Sequence, residues 1–292
     1  MKKIASLFFV LLGTSVFSII PITLSTKYDP QFVVTSSVLH NNDSYKVVYM
    51  RRAASGNKIK VKYFAAKDEF GTTVSSRLEK WAIGKDIICL SSGGYMDGSS
   101  TPVGICVDNG EIVNRSLEKF DGLVIVYATG GVAASNLKNA DLSLQGANIP
   151  LGKKFDIRNS AMDRTMFLDW CETVNATVFQ THLLAYKNQL TIYPNSDQTS
   201  RERRFLAVGY ENKEVVHAIV HSPSVTTLYE GSRRTLSFLN AYKNMEVTFM
   251  INLDPGSQDV FFLYDENGKV DNIIHGTQPL DAAANLLVYY YE

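Results

Sequence analysis

A carboxylate stands where an apolar strand ends in the C-terminal part of the sequence. The run of residues 250–253 is followed at once by Asp254 and then by Pro255, Gly256 and Ser257. Asp-Pro-Gly favours a type II turn, because proline presets φ at the second position and glycine supplies a positive φ at the third. The same segment places the Asp254 carboxylate, the flexible Gly256 backbone and the Ser257 hydroxyl at one strand end, where functional groups often lie. Asp254 is therefore predicted to form the turn and is a candidate catalytic group.

The segment SSGGYMDGSSTPVG, residues 91–104, has the most unusual composition in the chain. Gly93 and Gly94 follow a predicted buried strand, where they would let the backbone approach a ligand closely or adopt a positive φ. Asp97 is a second loop carboxylate. A long polar hairpin loop explains the composition equally well. The glycines are weak evidence for a phosphate-binding loop, because the segment matches neither the dinucleotide nor the Walker pattern.

Two further groups of polar residues lie on predicted strands. Gln180 and His182 share one strand face, as they would in a cleft or on a half-exposed sheet. Arg201, Arg203 and Arg204 cluster at the start of another strand. Since successive residues point to opposite faces, Arg203 and Arg204 cannot face the same cleft. One of them is a candidate for a bidentate phosphate contact, and a solvated edge charge is the alternative.

Other reactive residues give no catalytic pattern. His217 and His221 share a strand face, but no third residue has zinc-ligand spacing, so both are predicted to be core or surface histidines. The three cysteines, 89, 106 and 171, are predicted to be buried thiols. Neither a G-x-S-x-G nor an H-E-x-x-H sequence is present, which leaves serine-hydrolase and zincin activities without support.

The bulk properties indicate an exported globular protein. The chain has 292 residues with 29 basic and 29 acidic side chains, a balance that gives no sign of a nucleic-acid partner. Met1-Lys2-Lys3 followed by the apolar residues 4–20 and Pro21 is typical of a secretory signal, with cleavage expected between residues 18 and 26. A secreted or periplasmic protein without stable membrane insertion is expected, and an uncleaved anchor is the alternative. The predicted organisation is a signal peptide at 1–26, an N-terminal extension at 27–44 and one domain at 45–292.

The pattern of short elements predicts an α+β fold. Alternating segments predict strands, and capped periodic segments predict helices. Ser76 and Glu79 have capping-box spacing, and Met162, Met166, Leu168 and Trp170 are expected to form the apolar face of the second helix. We expect a single domain with a curved, largely antiparallel sheet system of short hairpins and two or three helices. The predicted strands are 45–49, 58–65, 87–90, 103–107, 111–114, 123–127, 177–186, 189–192, 205–210, 215–221, 250–253 and 260–264, and the predicted helices are 73–82, 160–174 and 226–242.

The order of these motifs over residues 45–264 resembles that of the phosphodiester glycosidase family. Its members typically have an Asn-Gly-Gly-Phe-Phe loop, a Gln-containing strand, an Arg with an Ala-Val-Gly strand, and an Asn-Leu-Asp-Gly-Gly-Gly-Ser segment. The matching segments here are 92–97 (SGGYMD), 179–184 (FQTHLL), 204 with 207–209 (R, AVG) and 252–257 (NLDPGS). Ser92, Pro255 and Gln258 depart from the family pattern, and the Arg matches only with a shift in register.

The resemblance implies an exported glycosidase that hydrolyses the glycosyl–phosphate bond of a sugar-1-phosphodiester. Such a reaction needs a carboxylate near the anomeric carbon and groups that hold the charge of the departing phosphate. No metal or other cofactor is expected; the oxygen ligands suit a divalent cation such as calcium, but calcium-loop spacing is lacking. A noncatalytic glycan-binding protein that retains the cleft is the alternative. The expected partner is a carbohydrate or glycosyl phosphate, the implied catalytic residues are Asp254 and Asp97, and the implied substrate-binding residues are Gly93, Gly94, Tyr95, Gln180, His182, Arg203, Arg204, Asn252, Gly256 and Ser257.

Overall fold

The computed structural model describes residues 20–24, 31–66, 71–140, 142–144, 149, 152–254, 256, 259–264, 270–275 and 280–292. Over these residues the chain alternates short strands with three α-helices. In chain order the elements are β1 (Ile20–Leu24), β2 (Val33–His40), β3 (Asp43–Arg51), β4 (Ile59–Phe64), α1 (Val74–Ala82), β5 (Asp86–Ser92), β6 (Cys106–Asp108), β7 (Glu111–Asn114), β8 (Gly122–Val126), β9 (Val132–Asn136), β10 (Leu142–Ser143), β11 (Lys154–Phe155), α2 (Ala161–Thr173), β12 (Thr177–Thr181), β13 (Leu183–Tyr186), β14 (Gln189–Leu190), β15 (Arg201–Glu211), β16 (Glu214–Thr226), α3 (Leu228–Lys243), β17 (Glu246–Leu253), β18 (Val260–Tyr264), β19 (Val270–His275) and β20 (Leu286–Tyr291).

Three antiparallel sheets contain nearly all of these strands. The large sheet has eight strands in the order β1-β2-β3-β16-β15-β17-β13-β14. The middle sheet has the order β7-β6-β12-β8-β9, and the C-terminal sheet has the order β19-β18-β5-β20-β4. The strands β10 and β11 form a separate two-stranded ribbon. The predicted α+β class with a largely antiparallel sheet system is confirmed.

Local turn chemistry explains the hairpins. Asn109 (φ 52°) and Gly110 (φ 84°) are both left-handed between β6 and β7. Asn212 (φ 51°) and Lys213 (φ 70°) adopt the same conformation between β15 and β16. Two successive residues with positive φ form the type I′ turn, whose twist matches that of the flanking strands. The predicted strands 103–107 and 111–114, and 205–210 and 215–221, are thus joined as hairpins.

Each helix begins at a hydroxyl that caps a free backbone N–H group. Ser160 Oγ accepts from Asp163 N at 3.1 Å before α2, and Thr227 Oγ1 accepts from Glu230 N at 3.2 Å before α3. Before α1 the cap is Thr73, which accepts from Ser76 N. The predicted capping box that began at Ser76 is therefore wrong, because Ser76 already lies in the first turn.

The three sheets share one central core, and one helix packs on the outside of each. The central cluster includes Val48 and Ile251 of the large sheet, Phe179 of the middle sheet, and Phe261 and Leu287 of the C-terminal sheet. Separate apolar clusters lie under α3, α2 and α1. Because the sheets meet around a common core, the ends of strands from all three come close together.

The predicted apolar face of α2 is confirmed in part. Leu168 is buried against the middle sheet as predicted, together with Phe167 and Cys171, whereas Met162 is 73% exposed. Met166 and Trp170 lie only partly buried at the edge of that cluster. Helical periodicity locates the helix, but which stripe is buried depends on the sheet beneath it.

At the N-terminus, β2 and β3 are paired along their whole length inside the large sheet. The sheet thus includes residues before 45, the predicted domain boundary. The predicted signal peptide lies almost entirely outside the described residues. Among the helices described, none is long and apolar enough to cross a membrane.

Candidate active site

Strand ends from different sheets meet around the Gly-Gly segment. Gly93 and Gly94 directly follow β5, Asp254 directly follows β17, and Asn285 directly precedes β20. The Asp254 N–H donates to Gly93 O at 2.9 Å. The Asn285 amide Nδ2 donates to Gly94 O at 3.1 Å. Backbone hydrogen bonding therefore places the carboxylate of residue 254 beside the loop that the sequence singled out.

A small cleft between these strand ends has room for about one water molecule. Asp254 and Asn285 are 9% and 5% exposed. Their Oδ1 atoms are buried and have no hydrogen-bond partner among the described residues. An unpaired buried polar atom costs on the order of 1–3 kcal/mol, so two of them in one cleft mark it as a candidate site for a water or a ligand. The cleft is lined by Ser92, Gly94, Met96, Asp254, Gly256, Ala283, Ala284 and Asn285.

The environment of Asp254 favours its neutral form. Burial, with a smaller contribution from the nearby Asp259 charge, raises its pKa to about 6. Opposing effects come from the Arg201 charge and from hydrogen bonds with the backbone of Gly256 and Met96. The carboxyl group therefore changes its charge near neutral pH, as a general base or acid must.

An aromatic group lies next to this carboxylate. The Tyr95 ring stacks on Phe120 with centroids 5.0 Å apart, and His182 packs edge-on against both rings. The Tyr95 hydroxyl accepts from Asn252 Nδ2 at 2.8 Å. Burial lowers the pKa of His182, which keeps its ring neutral at pH 7. Partly exposed aromatic faces beside polar groups are a common way to bind the apolar face of a sugar ring.

Asn252 and His182 join this aromatic group to the strand that positions Asp254. The Asn252 N–H donates to His182 O at 3.2 Å, at the point where the chain passes from β12 in the middle sheet to β13 in the large sheet. Asn252 is fully buried, and its Oδ1 atom is a third buried acceptor without a partner. Asn252 and Asp254 share one face of the strand, since they are two residues apart.

Arg203 and Arg204 are both buried and bonded inside the protein. Arg203 contacts Asp197 at 3.5 Å and donates to the carbonyls of Thr226 and Thr199. Arg204 pairs with Asp259 at 2.6 Å and donates to Val260 O at 2.8 Å. Burial lowers the pKa of both guanidinium groups.

The partners of the two arginines lie on opposite sides of β15, as strand alternation predicted. Arg204 lies over the Phe261 ring at 4.7 Å, on the side of the central core. Arg203 lies on the side of α3, where its side chain approaches Gly231. The family's Arg could match either Arg203 or Arg204, depending on the register. The two side chains have different surroundings, and each has carboxylate and carbonyl partners within the protein.

Gln180 is 1% exposed, and its side-chain amide is fully occupied by the protein. Its Oε1 accepts from Ile105 N at 3.2 Å and Glu118 N at 3.0 Å. Its Nε2 donates to the carbonyls of Glu118 and Phe120, both at 2.8 Å. The structure therefore places Gln180 as the residue that holds segment 118–120, and with it the Phe120 ring, next to Tyr95.

Asp97 closes an exposed turn outside the cleft lining. Its Oδ1 accepts from Ser99 N at 2.8 Å and from Thr101 N at 2.9 Å. Its backbone N–H donates to Thr101 O at 2.9 Å. A carboxylate that accepts two local N–H groups forms an Asx-type turn, the alternative that the loop composition left open.

The glycines of the loop serve close packing rather than an unusual φ. Neither Gly93 nor Gly94 has a positive φ, so close approach is the one of the two predicted reasons that applies. A Cβ on Gly93 would lie 2.3 Å from Asn285 Oδ1 and 2.6 Å from the Tyr63 ring. A Cβ on Gly94 would meet the Phe179 ring at 3.3 Å. Of the Asp254 turn, Gly256 is described and lies against the carboxylate, whereas Pro255, Ser257 and Gln258 lie outside the described residues.

Sequence reasoning missed Asn285, Asp259 and Phe120. No strand was predicted at β20, although its run of six apolar and aromatic residues is typical of a strand buried on both faces. Asp259 lies five residues after Asp254, and Phe120 lies on a loop, so neither has a local signal. Asn285 is positioned by the pairing of β20 with β5, Asp259 forms an ion pair with Arg204, and Phe120 stacks on Tyr95.

The remaining reactive side chains lie in the interior. His217 Nδ1 lies 2.9 Å from the Tyr289 hydroxyl, and His221 lies 3.4 Å from Arg204. Both rings are 2% exposed, and burial lowers the pKa of each to about 3. The prediction of buried free cysteines is confirmed. Among the described residues, no three His, Cys, Asp or Glu side chains cluster in a way that could hold a metal ion.

No protein-family model matches the chain, and no curated protein matches it. Among solved structures, it is similar to the catalytic domain of zebrafish N-acetylglucosamine-1-phosphodiester α-N-acetylglucosaminidase, auto-inhibited by its pro-peptide. That match has a TM-score of 0.51 and 14% sequence identity, and covers 93% of this chain and 88% of that chain. A hypothetical protein from Synechocystis matches with a TM-score of 0.48 and 11% identity, over 94% of this chain and 64% of that chain. The likeness to the zebrafish domain shows a shared fold.

Proposed function

We propose that the protein is an exported hydrolase that cleaves the bond between a sugar's anomeric carbon and the phosphate of a sugar-1-phosphodiester. The observation that carries this proposal is the Asp254 carboxyl group, held at a strand end in a cleft beside buried, unpaired amide oxygens. The fold shared with a phosphodiester glycosidase domain supports it.

Hydrolysis of the glycosyl–phosphate bond requires only one carboxylate. Departure of the phosphate leaves positive charge at the anomeric carbon, which a carboxylate stabilises directly or by activating a water. Phosphate departs readily without a strong general acid. Asp254, with a pKa of about 6, is largely ionised at neutral pH and is available for this role. Asp259 is already neutralised by Arg204, and Asp97 is committed to its turn.

The unpaired acceptors and the aromatic rings supply sugar recognition. Asn252 and Asn285 each have an Oδ1 atom free to accept from a hydroxyl or an amide of the sugar. Tyr95 and Phe120 provide an apolar surface next to Asn252. In this arrangement Gln180 acts indirectly, by fixing the Phe120 segment.

The test is release of sugar from an N-acetylglucosamine 1-phosphodiester by purified protein, with Asp254→Asn as the matched control. Turnover that disappears in the variant supports the proposal. Release that is equal in both proteins, or absent from both, contradicts it.

A noncatalytic glycan-binding protein is the second candidate. The Ser92, Pro255 and Gln258 departures from the family pattern favour it. Saturable binding of the diester by the wild-type protein, with no product after long incubation, would support this candidate.

Export is part of the proposal, supported by the basic, apolar and proline sequence of residues 1–21. We expect the mature protein in the secreted or periplasmic fraction to lack the first residues, up to about Thr26. N-terminal sequencing of that fraction checks this, and a mature protein that begins at Met1 would contradict it.

A further inference from the structure

Arg201 differs from its neighbours Arg203 and Arg204 in being only partly buried and in forming no ion pair with a carboxylate of the described residues. Its Nε atom, like that of Arg204, has no hydrogen-bond partner among those residues. Arg203 and Arg204 each have a carboxylate partner and a backbone carbonyl. A guanidinium group offers five donors in a planar fork, so Arg201 retains donors for a ligand.

Strand register places Arg201 at the same end of the large sheet as Asp254. The last pairs between β15 and β17 are Phe205 with Asn252 and Arg204 with Leu253. β15 begins at Arg201 and Asp254 directly follows β17, so both residues lie at the end of this antiparallel strand pair. The charge of Arg201 lowers the pKa of Asp254, as expected for a cation close to that carboxyl group.

Strand alternation puts Arg201 on the same face of β15 as Arg203. On β16, two additional residues separate the partners of Arg201 and Arg203, which are Thr226 and Ser222. The irregularity belongs to β16, so β15 continues without interruption, and Arg201 and Arg203 share one face. Both arginine charges also act on the Tyr95 hydroxyl, which lies on this side of the sheet.

We propose that Arg201 is the residue that binds the phosphate of the substrate, next to the carboxylate that acts on the sugar. This inference rests on the proposed function. It assigns the contact with the substrate phosphate to Arg201 instead of Arg203 or Arg204. Those two position β15 and the segment around Asp259 through their internal pairs. A planar guanidinium beside the cleft suits two phosphate oxygens at once.

The test measures binding rather than turnover. Titration calorimetry with N-acetylglucosamine 1-phosphate, inorganic phosphate and unphosphorylated N-acetylglucosamine is performed on the wild type, Arg201→Gln and Arg201→Lys. Arg233→Gln, which removes the same charge from an exposed position on α3, is the control. At least one phosphate probe is expected to bind the wild type and the control equally well.

We expect Arg201→Gln to weaken binding of that phosphate probe by about tenfold or more, the usual effect of losing a charge-assisted hydrogen bond. Arg201→Lys keeps the charge but loses the fork, so it should weaken binding by a smaller factor. If neither phosphate probe binds the wild type, or if Arg201→Gln binds both probes as the wild type does, the inference is overturned. Should Arg201→Gln fail to fold, unchanged phosphate binding by Arg201→Lys overturns it.

These outcomes are separate from those that decide the hydrolase. Phosphate binding that depends on Arg201, in a protein without turnover, retains this inference and overturns the hydrolase. Turnover that depends on Asp254, with KM unchanged in Arg201→Gln, retains the hydrolase and overturns this inference.

Discussion

The turns at Asp254 and Asp97 have similar sequences and opposite environments. Each carboxylate follows an apolar or aromatic residue and stands next to glycine and serine within a few positions. Asp97 is exposed and accepts two N–H groups of its own turn through one oxygen. Asp254 is 9% exposed and has a buried oxygen without a partner. The comparison teaches that a loop carboxylate becomes a candidate catalyst when tertiary packing removes its water without replacing every hydrogen bond.

Removing the charge of each carboxylate in turn should give the largest difference between the two turns. Asp254→Asn keeps the side-chain shape and removes the charge near the anomeric carbon, so turnover of an N-acetylglucosamine 1-phosphodiester should fall about a hundredfold or more. Asp97→Asn should change turnover by no more than about twofold, because Asn forms the same turn. Steady-state kinetics of both variants check this. Equal losses in the two would show that Asp97 also takes part in the reaction.

The second prediction concerns stability as a function of pH. The folded-state pKa of Asp254 is about 6 and its ordinary value is 3.8, so between these values the folded protein holds a proton that the unfolded chain has lost. Stability should therefore fall as pH rises from about 4 to about 6, by up to about 3 kcal/mol from this group. Above about pH 6 the loss of stability caused by the buried Asp254 charge stays constant.

Denaturant unfolding of the wild type and Asp254→Asn at several pH values measures this contribution as a difference between the two proteins. The variant should gain stability relative to the wild type as pH rises through this window, and be the more stable protein at pH 8. A difference that does not vary with pH would mean that Asp254 is already hydrated and resembles Asp97.

The third prediction tests how tightly the loop packs around the cleft. Gly93→Ala should destabilise the protein by about 2 kcal/mol or more, since its methyl group would overlap Asn285 and Tyr63. Gly98→Ala, in the Asp97 turn, is the matched control, because a Cβ there has no heavy atom of another residue within 4 Å. Thermal unfolding of both variants is the measurement. Similar midpoints for the two would indicate that the strand ends are less tightly packed than described.

The smallest expected effect belongs to the Asp97 turn itself. Asp97→Ala removes the acceptor for Ser99 N and Thr101 N in an exposed loop, and should cost about 1 kcal/mol. Its kcat should stay close to that of the wild type. Denaturant unfolding together with the diester assay checks both expectations, and a large fall in kcat with little loss of stability would contradict the purely structural role of Asp97.

Local signals in the sequence were enough for many of the elements. Ser160 and the periodic residues after it locate α2, and Asn109-Gly110 and Asn212-Lys213 locate two hairpins. Caps and turns involve residues a few positions apart, so their free energies depend little on the rest of the fold. The same reasoning wrongly included Met162 in the buried face of α2 and left out Phe167 and Cys171, because burial there is decided by contacts with the distant middle sheet.

The sequence alone determined the fold class, the strand that ends at Asp254 and the chemical types of residue around it. Only the tertiary structure separated Asp254 from Asp97, brought Asn285, just before the last strand, to Gly94, and gave Arg203 and Arg204 carboxylate partners that Arg201 does not have among the described residues. The physical reason is that burial and hydrogen-bond partners come from strands far apart in the chain. A carboxylate or guanidinium acquires its pKa, and the donors and acceptors it keeps free, from those neighbours.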